Sequence, residues 1–419
     1  MNDLGKSWAA SVAGIAAVVT VLVGAPRVAA AATLDDVATF NDPHDPVNRA
    51  AIQAHVIQLI AATPAGATIR ISTYLFASGA YRTALLDAHT RGVNVQLLVD
   101  ASLTSDAAGT TFFSLANGLG RDVTRPSFAV LCPADRGCIG TGIDHDKFFL
   151  FSSTSGRTKV VVQTSANMID HLDKGNSGLT SWNNAVTLVD EPVIYDAYVT
   201  RFTAMRDRKT STPYSSTVGT NAKVYFFPRP DGDPTSTTGS TVLGVLNNLD
   251  CSGKNTTGGF GANHLTSIHV AMFELTDVNI ANKLWALDNA GCVVHVVRTN
   301  HGTQDDAAIA RLNNCDAHNG VTIDSVHLRV GGDDNNDAAD ADIGFVHSKY
   351  LVIDGFYDGS ANQRLVWTGS YNYTTGALLH NDEALLKLSH HDAMFTAFQS
   401  NFQTLANQSY DTTQAGTCP

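Results

Sequence analysis

An internal repeat limits the folds open to this chain more than any other feature of its sequence. A strand-like run that begins at Ile69 is followed by a helical stretch and by an alternating strand that begins at Gly92. The same succession recurs from Ile268 and from Gly291, an offset of 199 positions in both cases. Strands that alternate with helices of about ten to fifteen residues are typical of βαβ units. We therefore expect an α/β fold in which each half is a mixed sheet covered by helices on both faces.

The repeat also indicates where the domains begin and end. We assign residues 31–208 to an N-terminal half and residues 222–419 to a C-terminal half. The segment 209–221 between them is polar and rich in Ser and Thr, which is typical of a linker.

Residues 1–30 have the layout of a secretory signal peptide. Lys6 precedes an apolar run, and a cluster of alanines at 29–32 follows it. The alternative is a retained membrane anchor, but the run is shorter than the roughly 20 apolar residues that a spanning helix needs. We expect the segment to be cleaved and the protein to be secreted.

The net charge argues against nucleic acid as a partner. The formal charge is −12, and cleavage after Ala30 would remove two cations and one anion and leave −13. A polyanion would be repelled over most of such a surface. A local basic patch remains compatible with a nuclease.

The cysteine set is even, which permits disulfides in an exported protein. The six positions are Cys132, Cys138, Cys251, Cys292, Cys315 and Cys418. Three disulfides are possible, and the sequence favours only one pairing, a short loop from Cys132 to Cys138. A zinc site is the alternative, but the chain has no Cys-x2-Cys pair.

An acidic segment precedes the second half's main motif. Residues 331–342 contain five aspartates and two asparagines. We interpret this segment as a solvated loop. A calcium site between Asp333 and Asp342 is the alternative, because oxygen ligands abound there, although EF-hand spacing is absent.

The same short motif occurs at equivalent places in the two halves. His145 and Lys147 form one His-x-Lys pair, and His347 and Lys349 form another, with the two histidines 202 positions apart. After a turn, each pair is followed by Ser-x-Asn, with the serines and asparagines at Ser165, Asn167, Ser370 and Asn372. One His-x-Lys pair carries little weight, whereas two at matching places of an independent repeat indicate a shared site.

The spacing suits chemistry at a phosphodiester. Residues i and i+2 of a strand point to the same face, so the histidine and lysine of each pair project together. Two ammonium groups, Lys147 and Lys349, can hold the anionic phosphate, and the amides of Asn167 and Asn372 add neutral donors. One imidazole can attack phosphorus while the other protonates the leaving alcohol and later deprotonates water.

This pattern resembles the phospholipase D superfamily, whose signature is His-x-Lys-x4-Asp followed by Gly-Ser-x-Asn. The second copy matches it completely, at His347, Lys349, Asp354, Gly369, Ser370 and Asn372. Glu383 then stands where the family often carries an acidic element. The first copy departs from the signature, with Ser152 in place of Asp and Thr164 in place of Gly, and Ala185 aligns with Glu383. We expect weaker local support in the first half rather than a dead site.

The resemblance implies two α/β/α sandwich halves, related by a pseudo-twofold axis, that share one active-site cleft. It implies a phosphohistidine intermediate and no metal or other cofactor. It further implies that His145 is the nucleophile and His347 the acid and base, with Ser165, Ser370, Asp354 and Glu383 in supporting roles. The expected protein is a monomer that acts on phospholipid at a membrane or micelle surface.

Three functions remain open at this point. We favour a secreted phospholipase D-type enzyme that hydrolyses the headgroup phosphodiester and can also transfer the phosphatidyl group to alcohols. The alternatives are a secreted endonuclease of the same superfamily and a catalytically impaired protein that binds phosphate headgroups. An apolar rim would favour the lipase, and the aromatic candidates for it are Phe112, Phe113, Phe148, Phe149, Phe356 and Tyr357.

Overall fold

A computed structural model describes most of the chain. The described residues are 34–102, 106–170, 178–211, 213–300, 306–312, 326–333 and 344–411. The predicted signal peptide, Cys315, Cys418 and residues 334–342 of the acidic segment lie outside these ranges.

The first half forms a seven-stranded mixed sheet. Its strand order is β1-β7-β6-β5-β2-β3-β4, in which β2, β3 and β4 are parallel and the other pairings are antiparallel. The strands are β1 (Val37–Phe40), β2 (Thr68–Thr73), β3 (Asn94–Val99), β4 (Phe128–Leu131), β5 (Lys147–Thr154), β6 (Arg157–Thr164) and β7 (Asn184–Leu188).

Helices connect these strands and cover the sheet. They are α1 (Ala51–Ala61), α2 (Gly79–Thr90), α3 (Asp106–Leu119) and α4 (Pro192–Arg206). Local signals fix their starts, since the Ser78 hydroxyl accepts a hydrogen bond from the Tyr81 amide at the start of α2, and Pro192 opens α4.

The second half repeats this plan in a nine-stranded sheet. The order is β16-β12-β11-β10-β13-β14-β15-β9-β8, with β10, β11 and β12 parallel. The strands are β8 (Ser215–Val218), β9 (Ala222–Phe227), β10 (Ser267–Met272), β11 (Val293–Asn300), β12 (Val326–Asp333), β13 (Lys349–Tyr357), β14 (Ser360–Gly369), β15 (Glu383–Ser389) and β16 (Tyr410–Asp411). The helices are α5 (Thr241–Asn247), α6 (Val278–Asn289), α7 (Asp306–Leu312), α8 (Thr375–Leu379) and α9 (Asp392–Gln408).

The predicted α/β repeat is therefore confirmed, and its register is visible in the strand pairing. In the first half Ile69 pairs with Val95 on β3, and in the second half Ile268 pairs with Val294 on β11. The polar segment 209–221 contains more structure than a linker, because Ser215–Val218 adds β8 to the edge of the second sheet.

Three apolar clusters hold the fold together. One lies on one face of the first sheet, a second lies on one face of the second sheet, and the third is built from both halves. Tyr198 of α4 and Phe398 of α9 are fully buried in this shared cluster. Burial of apolar surface common to both halves joins the sheets and brings their motif-bearing strands together.

Two disulfides fit an extracellular protein. The predicted Cys132–Cys138 pair is present, and Cys251 bonds to Cys292. Every cysteine within the described ranges is disulfide-bonded, so the alternative of a zinc site on these thiols is wrong. Among the described helices, none combines the length and the apolar character that a membrane crossing requires.

Most of the aromatic candidates for a membrane-facing rim pack in the core instead. Phe112, Phe148, Phe149 and Tyr357 are buried, because each lies on the inward face of its helix or strand. Phe113 is the exposed member of the set, at 45%.

Candidate active site

Each His-x-Lys motif is joined by backbone hydrogen bonds to the opposite half. The His145 amide donates to the Asp382 carbonyl at 2.9 Å, and the His347 amide donates to the Trp182 carbonyl at the same distance. Short parallel bridges, Asp144 with Asp382 and Trp182 with Val346, lie at these crossings. The two histidines therefore enter one site from the two sheets in equivalent ways.

The two lysines open strands β5 and β13 and are almost completely buried. Each ammonium group donates to the carbonyl of its own histidine, at 2.9 Å from Lys147 to His145 and 2.8 Å from Lys349 to His347. Burial lowers the pKa of Lys147 to about 8, although Glu383 and neighbouring aspartates oppose this shift. Burial also lowers the pKa of Lys349 well below its usual value, and the charge of Lys147 adds to the effect.

The charges of both lysines reach His145, in agreement with the backbone crossings that bring the two motifs to one site. Burial lowers the pKa of His145 well below its ordinary value, and Lys147 and Lys349 lower it further. An imidazole held neutral keeps a lone pair for attack on phosphorus. An anion bound between the lysines would neutralise the charges that surround it.

The partners of the two imidazoles come from opposite halves and differ in charge. His145 Nδ1 lies 2.8 Å from the Glu383 carboxylate, which is fully buried. His347 Nδ1 lies 2.9 Å from the side-chain oxygen of Asn183. Burial raises the pKa of Glu383 well above its usual value, while Lys147 and the Ser370 hydroxyl act in the opposite direction.

Asn183 is the equivalent of Glu383, which corrects the alignment of Glu383 with Ala185. The Ser165 amide donates to the carbonyl of the residue after Asn183, and the Ser370 amide donates to the carbonyl of the residue after Glu383. The error arose because the connection from Ser165 to this position is two residues shorter than the alignment with Ala185 assumed. A search for any polar residue two positions either side of 185 would have found the asparagine.

The serines hold these partners in place. The Ser165 hydroxyl donates to the Asn183 side-chain oxygen at 2.8 Å. The Ser370 hydroxyl accepts from the Ala384 amide at 3.0 Å and lies close enough to Glu383 to affect its pKa. Both serines are completely buried and act through their neighbours rather than by facing the site.

Asn372 faces a carboxylate that sequence reasoning missed. Its side-chain amide donates to Glu274 at 3.0 Å, and the Glu274 amide donates back to the Asn372 side-chain oxygen at 3.4 Å. The charge of Glu274 acts on Lys349 and, across the cleft, on Tyr74. Glu274 follows β10 closely and lies one residue beyond the repeated run, which is why the repeat did not reveal it.

An aromatic ring covers each motif. The Tyr74 ring lies 5.3 Å from the His145 ring and 5.4 Å from the Lys147 ammonium. Phe273 takes the equivalent place, 4.5 Å from the His347 ring and 4.8 Å from the Lys349 ammonium. These rings limit the access of water to the histidines, which are 7% and 2% exposed.

The departures of the first motif have local explanations. The Ser152 hydroxyl accepts a hydrogen bond from the Thr68 amide at 2.8 Å, so it serves as a structural acceptor at the place of Asp354. Thr164 donates to the Asn184 carbonyl at 2.9 Å. A side chain at Gly369 would instead meet the Ala384 carbonyl at 2.1 Å, which explains the glycine in the second copy.

Asn167 and Asp354, both predicted as site residues, differ in their positions relative to the histidines and lysines. Asn167 is 4% exposed and lies at the start of the segment that follows β6, in the place equivalent to Asn372. Asp354 lies five residues along β13 from Lys349, roughly 16 Å away in an extended strand. Asp354 forms an ion pair with Arg364 at 3.8 Å and supports the sheet.

A buried arginine ties the two halves together behind the site. Arg201 of α4 pairs with Asp382 at 3.0 Å and with Asp146 at 3.7 Å, and it donates to the Phe227 carbonyl. Burial raises the pKa of Asp146 to about 7, and Arg201 opposes the shift. Removing this arginine would leave buried carboxylates beside the His145 strand without compensation.

Comparisons with known proteins agree with this geometry. A family model described as "Cardiolipin synthase, PLD-like domain" matches residues 262–406, which include the second motif. The phosphatidylserine synthase of Haemophilus influenzae superposes with a TM-score of 0.53 at 12% identity, over 87% of this chain and 86% of that one. Residues 262–406 therefore resemble a PLD-like domain, and the chain as a whole shares its fold with this phosphatidylserine synthase.

Two other solved structures match this chain over most or part of its length. The polyphosphate kinase of Porphyromonas gingivalis has a TM-score of 0.51 at 12% identity over 89% of this chain, which spans half of that protein's length. Nuc of Salmonella typhimurium is 21% identical over 47% of this chain, with a TM-score of 0.30. No curated protein sequence matches the chain. Identities this low support the shared fold alone.

Proposed function

We propose that this protein is a secreted phospholipase D-type phosphodiesterase that hydrolyses the headgroup phosphodiester of phospholipids. The observation that carries the proposal is the convergence of two buried His-x-Lys pairs on one site, with the charges of Lys147 and Lys349 acting together on His145. This arrangement holds an anionic phosphorus centre between two imidazoles.

The reaction proceeds in two balanced steps. First, His145 Nε2 forms a bond to phosphorus, the bond from phosphorus to the headgroup oxygen breaks, and protonated His347 gives its proton to the leaving alcohol. Second, neutral His347 takes a proton from water, the water oxygen bonds to phosphorus, and the bond from phosphorus to His145 breaks. The products are phosphatidic acid and the free headgroup alcohol, and an alcohol in place of water gives transphosphatidylation.

The unequal partners of the histidines support this division of roles. Attachment of phosphorus makes the His145 imidazole cationic, and the Glu383 carboxylate at 2.8 Å is placed to stabilise that charge. His347 has the neutral Asn183 at 2.9 Å, which orients the ring without holding its proton by charge. A proton donor and acceptor needs that freedom.

Glu274 supports a lipid with a cationic headgroup over a nucleic acid. This partly buried carboxylate contacts Asn372 within the site, and its charge reaches both Lys349 and Tyr74. An ammonium headgroup beside the scissile phosphate would be attracted to it, whereas the neighbouring phosphates of a nucleic acid would be repelled. The net charge of −12 acts in the same direction.

The test is a side-by-side assay of the purified protein, with EDTA present, on phosphatidylcholine vesicles and on single- and double-stranded DNA. We expect choline release that is lost in His145→Ala. In Glu274→Gln we expect the preference for phosphatidylcholine over phosphatidylglycerol to fall by about tenfold, which corresponds to one lost charge interaction.

Three results would contradict the proposal. DNA cleavage without choline release would favour the endonuclease. Binding of vesicles without turnover of any headgroup would favour the impaired headgroup-binding protein. Choline release that EDTA abolishes would require a metal.

A further inference from the structure

A second pocket lies in the C-terminal half, away from the catalytic histidines. Its volume is ≈ 360 Å³, and it opens beside α5, β9 and the end of β13. Three tyrosines line it, Tyr214, Tyr225 and Tyr357, together with Arg229 and several hydroxyl and amide side chains of residues 237–248. None of the described residues that line it is acidic.

Each of the three tyrosines has a cation over its ring. Arg229 lies 4.9 Å from the centre of the Tyr214 ring, and Lys223 lies 4.5 Å from that of Tyr225. Lys387 lies 4.9 Å from that of Tyr357. The two lysines are direct cross-strand neighbours on β9 and β15. Positive charge is therefore concentrated around this pocket in a protein whose net charge is −12.

Few negative charges of the described residues lie near these cations. Within the described ranges, no carboxylate oxygen lies within 4 Å of Arg229, Lys223 or Lys387. Burial lowers the pKa of Lys387, the charge of Lys223 lowers it further, and Asp358 acts against both. Lys223 and Lys387 are half-buried neighbours that repel each other, which is costly unless an anion neutralises their charges.

The hydroxyl groups of the pocket are suited to an anion as well. Burial raises the pKa of both Tyr225 and Tyr357 to about 12, so both phenols keep their protons near neutral pH. Asn248 donates to the Tyr357 hydroxyl at 3.5 Å, which leaves the phenolic proton to point elsewhere. The protonated phenols of Tyr225 and Tyr357 line the same pocket as the Arg229 guanidinium, and together they form a donor set that matches phosphate oxygens.

We infer that this pocket is a second anion site that binds a phosphate group, with Arg229 as its principal ligand and Tyr214, Tyr225 and Tyr357 as its walls. The phosphate can belong to a free phosphate or phosphomonoester in solution, or to the headgroup of phosphatidic acid. The site is independent of the proposed hydrolysis, because none of its residues lies in the catalytic cleft.

Isothermal titration calorimetry of the full chain with inorganic phosphate tests the inference. We expect two sites in the unaltered protein, one of which is lost in Arg229→Gln and the other in Lys349→Gln. Arg82→Gln is the matched control, because Arg82 is a half-buried arginine on α2 that has no ion pair among the described residues. Arg229→Gln should weaken its site by about tenfold or more, as the loss of a charge-assisted hydrogen bond predicts.

A second comparison separates the two sources of phosphate. In a His145→Ala background, flotation with phosphatidylcholine vesicles that contain phosphatidic acid is measured with and without Arg229→Gln. A loss of flotation identifies the lipid headgroup, and unchanged flotation with lost calorimetric binding identifies a soluble phosphate. A single site that disappears in Lys349→Gln would overturn the inference, and so would equal weakening by Arg229→Gln and Arg82→Gln.

Discussion

Replacing Glu383 with glutamine removes a charge from the site while keeping the size of the side chain. Glu383 is completely buried and its carboxylate lies 2.8 Å from His145 Nδ1. When His145 bonds to phosphorus its ring becomes cationic, about 4 Å from the centre of the carboxylate. At an effective dielectric constant of about 20 this interaction is worth about 4 kcal/mol. The glutamine amide keeps a dipole, so we expect a loss of about 3 kcal/mol, or roughly a hundredfold in kcat.

The assay is initial-rate hydrolysis of a 4-nitrophenyl phosphatidyl ester by purified Glu383→Gln and unaltered protein. KM should change little, because the charge acts on the transition state more than on the bound substrate. Glu191→Gln is the matched control, since Glu191 is another buried glutamate, 3% exposed, whose carboxylate accepts from the Thr220 amide outside the site. Its kcat should stay within about twofold.

A decrease of less than tenfold in Glu383→Gln would refute this reasoning. Burial raises the pKa of Glu383, and Lys147 lowers it. If the effect of burial on this pKa is larger than that of Lys147, Glu383 is already protonated in the working enzyme. The substitution would then replace a neutral acid with a neutral amide and remove no charge. Its role would then be to orient the His145 ring, and the charge asymmetry between the two histidines would be lost as an argument for their roles.

Three further predictions test other parts of the molecule. In His347→Ala, hydrolysis of phosphatidylcholine should fall by about 10² to 10⁴-fold. The 4-nitrophenyl ester has a leaving group that needs no proton, so this variant should still release a burst of one equivalent of 4-nitrophenol. Absence of the burst would contradict the role of His347 as the acid. Burial lowers the pKa of His269 to about 3, below its ordinary 6.5, so the unfolded chain takes up the proton first. Its contribution to the free energy of unfolding, at most about 5 kcal/mol, should therefore be complete above pH 6.5 and disappear as the pH falls towards 3. Urea unfolding of His269→Phe at several pH values would check this. Gly369→Ala places a side chain 2.1 Å from the Ala384 carbonyl and should destabilise the fold by about 1 to 3 kcal/mol, whereas Gly79→Ala, with its nearest atom at 3.8 Å, should not.

The sequence alone determined the plan of the fold and predicted the principal residues of the candidate site. Alternating runs from Ile69 and Ile268 predicted two equivalent sheets, because strand periodicity is local and is written directly in the chain. The i, i+2 spacing placed each lysine beside its histidine for the same reason. The Cys132–Cys138 pairing also followed from a short separation along the chain.

Only the tertiary structure decided which groups from one half meet the other. The contacts from His145 to Glu383 and from His347 to Asn183 join residues 238 and 164 positions apart. Glu274 reaches Asn372 across 98 positions. No local pattern encodes such pairs, because they depend on how the two sheets pack through a shared apolar core. Burial of apolar surface fixes that packing, and it leaves no signal in the sequence for which polar residues meet. The repeat predicted two equal histidines, and the folded chain gave one of them a carboxylate and the other an amide.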